Sequence, residues 1–179
     1  MDGEASASRI NTASLEGFMN DINARQYRIN EEFTIAAGGL LVYKFFINTH
    51  TELTFSAVEV DQGGVKYSVF SSAQTTETAP FNTPVSVYKR DLISNPIANR
   101  NLIFKGGTAT FSGVSNSVVR VRTSSGNSGR ASTVAQTSNV RGFPKGIVVY
   151  VQFAALDGIN TTSTGVWSLE FEEIGVEIV

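Results

Sequence analysis

Ile147–Phe153 (IVVYVQF) and Val166–Glu172 (VWSLEFE) decide the fold class. The first is nearly all apolar and has the length of a strand. The second alternates, so Trp167, Leu169 and Phe171 share one face while Glu170 and Glu172 share the other. Upstream, Leu40–Ile47 (LLVYKFFI) is too continuously apolar for a half-exposed strand and predicts a central one, buried on both faces. Leu53–Val60 sets Leu53, Phe55 and Ala57 against Thr54, Ser56 and Val58. Asp61-Gln62-Gly63-Gly64 then predicts a tight hairpin turn, with Val65–Phe70 returning. Thr83–Arg90 places Val85 and Val87 on one face, and Ser117–Thr123 places Val119 and Val121 against Arg120 and Arg122. Ser124–Gly142 has no strong periodicity and predicts a long loop.

Roughly eight or nine short strands, with turns every ~8–12 residues, point to an all-β fold: an antiparallel β-sandwich or jelly roll. Helices do not alternate with strands, which excludes a parallel α/β sheet. Phe45, Ile47, Phe55, Val149, Val151, Trp167, Leu169 and Phe171 are its expected core. Residues 1–25 read as an N-terminal arm and 26–179 as a single sandwich domain. The arm holds the one helical pattern, about Thr12 to Ala24, with Leu15, Phe18, Met19 and Ile22 on one face. Burying those four is worth roughly 6–10 kcal/mol, less than ordering the arm at about 1–2 kcal/mol per residue. They are therefore expected to bind a neighbouring subunit or another partner, the alternative being one open end of the chain's own sandwich.

Composition narrows the function. Among 179 residues, charged ones make up 17%, against about 25% in ordinary soluble proteins. Polarity comes instead from 19 Ser, 17 Thr and 13 Asn. The net charge of -2 gives no general attraction for nucleic acid or an anionic membrane. With no cysteine there is no disulfide, thiolate metal site or thiol nucleophile. No apolar run approaches the ~20 residues that span a bilayer, and the N-terminus carries no signal-peptide pattern.

No residue set calls for catalysis, a cofactor or a metal. His50 is the single histidine and sits in a polar turn with no nucleophile beside it. Glu31-Glu32 and Glu172-Glu173 are neighbours on strands, so their side chains diverge. Asp61 and Asp157 lack a calcium loop, and Gly38-Gly39 and Gly106-Gly107 lack phosphate-loop spacing. Trp167 belongs to a core face rather than to a sugar platform. The basic residues Lys89, Arg90, Arg120, Arg122, Arg130 and Arg141 remain as candidate partner-binding positions, read as solvated arginines, as contacts for an acidic partner, or as a nucleic-acid stripe.

One order of segments is informative. TPVSVYKRDLISNPIANRN (83–101) is followed by IFKGGTATFSG (103–113), the Gly/Ser-rich loop, FPKGIVVYVQFAALDG (143–158) and GVWSLEFEE (165–173). Across about residues 40–173 this order resembles virion structural proteins of tailed bacteriophages, of the capsid decoration (cement) or head-fibre β-sandwich type. Lys89-Arg90 departs from that pattern, which more often has Asn-Arg, and residues 8–25 lie outside it. The resemblance implies a non-enzymatic virion protein that binds across capsid subunit joints and stabilises the head. It further implies a homotrimer whose partners are the major capsid protein or another virion protein, located in a particle assembled in the host cytoplasm. No nucleic acid, membrane or cofactor is implied. A tail, neck or baseplate component is the next reading, and a carbohydrate- or receptor-binding module the third.

Overall fold

The computed structural model describes residues 25–90, 98–122, 131–133, 141–156, 158 and 161–174. The predicted helix at 12–24, with Leu15, Phe18, Met19 and Ile22, lies outside them. The strands are β1 (Gln26–Ile35), β2 (Leu40–Phe46), β3 (His50–Gln62), β4 (Gly64–Ser71), β5 (Thr75–Ala79), β6 (Thr83–Pro84) and β7 (Tyr88–Lys89). They continue as β8 (Leu102–Lys105), β9 (Thr108–Phe111), β10 (Ser117–Arg122), β11 (Ala131–Thr133), β12 (Arg141–Phe143), β13 (Val148–Ala155) and β14 (Ser163–Ile174).

All pairings are antiparallel, and the fold is an all-β sandwich. Sheet I runs β11-β3-β14-β1-β7, with β12 beside β11 on the same edge of β3. Sheet II runs β10-β4-β13-β2-β8-β6, and β5 pairs β9 as a separate two-stranded layer. Alternation turns Ile29, Phe33, Trp167, Leu169 and Phe171 of sheet I toward Tyr43, Phe45, Tyr67, Val151 and Phe153 of sheet II, in one continuous core. The inward positions of β14 run in strict alternation from Ser163 to Glu173, as its sequence period requires.

The β5–β9 layer explains why β2 is apolar on both faces. Val42, Phe70 and Tyr150 point outward from sheet II, yet they are buried under Phe81 and Phe111. Phe111 stacks on Phe70 at 4.4 Å between centroids.

Four sequence expectations need correction. Phe55 is half-buried and outside the core. A bulge at Thr54 puts two β3 residues against one β14 step, between the pairs Phe55↔Glu170 and Leu53↔Phe171. The alternation changes phase there, so Leu53 faces inward and, beyond the bulge, Ser56 and Val58 do. Gly63 and Gly64 do not close a hairpin, because β3 belongs to sheet I and β4 to sheet II. The chain crosses between sheets at Gly63, where φ is 80°, and Ser163 bonds both the N–H and the carbonyl of Gly64. Thr83–Arg90 is likewise a crossing rather than one strand. Its start pairs β8 and its end pairs β1, while Val85 and Val87 pack into the gap. The long loop, finally, contributes β11 and the start of β12, both covering the β3 edge, which would otherwise be an open hydrogen-bonding template.

Gly165 marks the closest approach inside sheet I. A methyl there would overlap the Glu59 carbonyl oxygen and come 2.7 Å from Phe33 Cζ. Gly165→Ala is expected to lower unfolding stability by ~2 kcal/mol or more, as overpacking does. Urea denaturation unchanged within ~0.5 kcal/mol would contradict this packing.

Candidate functional site

The sequence-selected basic residues do not form one patch. Lys89 and Arg90 lie at the β7 edge of sheet I and are used locally. Lys89 Nζ sits 4.1 Å from the Tyr27 ring centroid, and burial pushes its pKa down against the pull of Glu173. Arg90 donates to Gln26 Oε1 at 3.0 Å and lies 3.5 Å from Glu170. Arg120 and Arg122 are at the β10 edge of sheet II, on the opposite side of the sandwich. Arg141 is in β12, opposite Leu53, and Arg130 lies outside the described residues.

Arg120 stands directly opposite Lys66, with Arg122 two residues further on the same outward face. Among the described residues none of these three meets a carboxylate. Like charges across a strand pair are mutually destabilising, so the triad favours an anionic neighbour. The outward face of sheet I is mainly of the opposite sign, although Arg28 also lies on it, opposite Glu170. Glu32 and Glu59 flank Val166 on its two neighbouring strands, and Glu52 stands opposite Glu172. Glu32, Glu52 and Glu59 have no cationic partner among the described residues. No described element covers this face, whereas the β5–β9 layer covers part of sheet II.

Two ion pairs are inside the fold rather than on these faces. Lys44, under the β5–β9 layer, pairs with Glu77, and Tyr150 donates to the same carboxylate at 2.5 Å. Burial acts to raise the Glu77 pKa, but the Lys44 and Tyr150 hydrogen bonds and the Lys44 charge outweigh it and hold the group below the usual range. Lys105 of sheet II pairs with Glu31 of sheet I, joining the sheets across their β8–β1 side. Nearby, the buried Tyr43 hydroxyl has no hydrogen-bond partner among the described residues, and burial together with Glu31 raises its pKa.

Glu173, considered from the sequence only as a carboxylate diverging from Glu172, is 3% exposed. Its Oε1 accepts the backbone N–H of Arg100 at 2.8 Å and of Asn101 at 2.9 Å. Asn101 extends the network: its amide donates to Thr51 at 2.7 Å, and its oxygen accepts from Asn48 N at 2.9 Å. The inward period of β14 was the available signal, since it reaches Glu173 two residues beyond Phe171. Trp167, by contrast, is fully buried as expected, and His50 is an exposed residue at the start of β3. Among the described residues no three of His, Asp and Glu converge as a metal site would require.

A cavity of about 370 Å³ lies between the sheets. Leu53, Trp167, Leu169 and Phe171 form one wall, and Phe45, Val69, Val149 and Val151 form the other. It reaches the surface between Gly142–Pro144 and the group Ser71, Ser72 and Asn116. At ~24 cal/mol per Å³, a void of this size left empty would forfeit at most about 9 kcal/mol, comparable with the whole stability of a domain. The chain matches no protein-family model and no curated protein.

The buried carboxyl gives a pH test. Burial raises the Glu173 pKa, with the hydrogen bonds from Asn101 and Arg100 and the charges of Arg100 and Lys89 opposing it. Tyr27, itself raised to about 12 mainly by burial, adjoins the same group. A raised folded pKa means that the folded state holds the proton more tightly, so stability falls as pH climbs from the ordinary value of 4.5 through the folded one. The stability of wild type minus that of Glu173→Gln is expected to be flat below this window and to decline through it. Urea titrations across that range giving a constant difference would refute the assignment.

Proposed function

We propose that the protein is a non-enzymatic structural component of a tailed-bacteriophage virion, a capsid decoration protein that associates through the outer faces of its sandwich. The observation that carries this reading is the pair of open sheet faces of opposite charge. The carboxylates of Glu32, Glu52 and Glu59 lie on one face, and the triad of Lys66, Arg120 and Arg122 lies on the other. A face of one sign meeting a face of the other is a head-to-tail contact, and since the two faces look away from each other, copies stack openly unless the contact is tilted, a tilt that closes a ring being what a trimer requires. Contact across capsid joints would then stabilise the assembled shell by mass action, since the decoration binds the assembled state and not the separate subunits. The order of segments from Thr83 to Glu173 supports the virion assignment by resemblance. Complete burial of Trp167 weighs against a sugar-binding module, which would present its large aromatic to solvent.

Stained-gel densitometry of purified particles tests the position on the virion. A copy number in proportion to the capsid subunits is expected, and a handful per particle would move the protein to the neck or tail. Sedimentation tests the association. The full chain at micromolar concentration is expected to form oligomers that weaken as salt screens the faces. Glu32→Lys/Glu59→Lys and Lys66→Glu/Arg120→Glu should each reduce association at least tenfold, and combining all four should restore it. A wild-type monomer at every salt concentration, or oligomers indifferent to the reversals, would sink this reading.

A further inference from the structure

We propose that the cavity between the two sheets is a binding site for a single-chain apolar ligand, an acyl or alkyl chain ending in an uncharged polar group. Its shape comes first. The lining extends from Ile103 on β8 to Val119 on β10, which are separated in sheet II by β2, β13 and β4. Four interstrand spacings of ~4.8 Å make that span about 19 Å. A lining spread across five adjacent strands suits an elongated ligand better than a compact one. The volume is also more than twice that of the roughly 150 Å³ apolar cavity that accepts benzene.

The chemistry of the walls agrees. Polar groups deep in the cavity are already engaged. Thr51 donates to Thr49 O at 3.0 Å and accepts from Asn101, while Ser56 lies 3.5 Å from the Trp167 indole nitrogen. Water held there would find few free partners, and a ligand needs no polar atom along its length. Hydroxyl and amide side chains gather instead at the mouth, at Ser71, Ser72 and Asn116. Among the described residues no charged side chain lines the cavity, so a neutral end group fits there without an unpaired charge. The walls are strands of both sheets, which hold the bore open in the absence of ligand.

The full-length protein provides its own probe, because Trp167 is its only tryptophan and lines the cavity. Titration with dodecan-1-ol is expected to shift Trp167 emission, to raise the melting temperature, and to give one bound molecule per chain by native mass spectrometry. Val119→Phe and the milder Leu53→Met alter opposite walls. Val119→Phe should keep or raise the melting temperature of the unliganded protein and weaken binding at least tenfold, and Leu53→Met should shift the affinity by a smaller factor. Dodecanoate should bind less well than the alcohol, because none of the described lining residues is a cation. Binding of phosphatidylcholine vesicles without binding of the free alcohol would mean a membrane surface contact and would overturn the proposal. So would the absence of any Trp167 response up to the solubility limit, or equal affinities in wild type and both variants.

Discussion

The ring of Trp167 stands 4.9 Å from Tyr43, 5.3 Å from Phe153, 6.0 Å from Phe45 and 6.2 Å from Tyr67, measured between centroids. Those partners come from β2, β13 and β4, so one indole on the middle strand of sheet I touches three adjacent strands of sheet II. Each aromatic pair adds about 0.5–1.5 kcal/mol beyond the area it buries. The direction of Trp167 then constrains its neighbours along β14. Two residues before it, the inward position must be Gly165, since the Phe33 ring and the β3 backbone occupy the space of a side chain. Six residues after it, the same face delivers Glu173 to the end of the sandwich. A carboxylate is tolerated there because the backbone amides of Arg100 and Asn101 take the place of water.

The two long sides of the sandwich are finished differently. On the β7–β8 side the chain crosses between sheets at Val85 and Val87, and the Lys105–Glu31 pair bridges them. On the β3–β10 side, β11 and β12 are short, and the interior opens past Phe143 and Asn116 as the cavity.

How much of this was legible in the sequence follows from where alternation is left undisturbed. β14 and β10 keep period two along their length, and their inward residues were readable: Trp167, Leu169, Phe171, Val119 and Val121 are all on the expected face. Phe55 was misassigned because a bulge adds a residue without any sequence marker, and everything beyond it changes face. The Gly63-Gly64 pair signals a sharp turn, yet a glycine pair serves a hairpin and a crossing between sheets equally well. Only the long-range partners of β3 and β4 separate the two. Glu173 was read only as diverging from Glu172, and its burial was missed although the strand period carries it inward beyond Phe171. The basic residues could be counted but not grouped, since edges distant in space are interleaved in sequence.

Charge placement connects the fold to the proposed association. A chain with few charged residues can remain soluble through Ser, Thr and Asn, so those charges it does keep on flat faces have disproportionate effect. Lys44, Glu77, Lys105 and Glu31 are consumed inside the fold, and Lys89 and Arg90 are consumed at an edge. What remains is largely sorted by sheet, with carboxylates outnumbering the single exposed Arg28 on the described part of the uncovered face of sheet I, and cations on the part of sheet II that the β5–β9 layer leaves open. Random placement of so few groups would more often intersperse the signs and let each satisfy a neighbour on its own sheet. Segregation leaves both faces unsatisfied in the single chain and complementary between chains, and complementary faces set register and encounter rate more than affinity. The bulk of any affinity must then come from the neutral and apolar groups between the charges. On sheet I these are Val166, Ser168 and Phe55, which lie close together across β14 and β3.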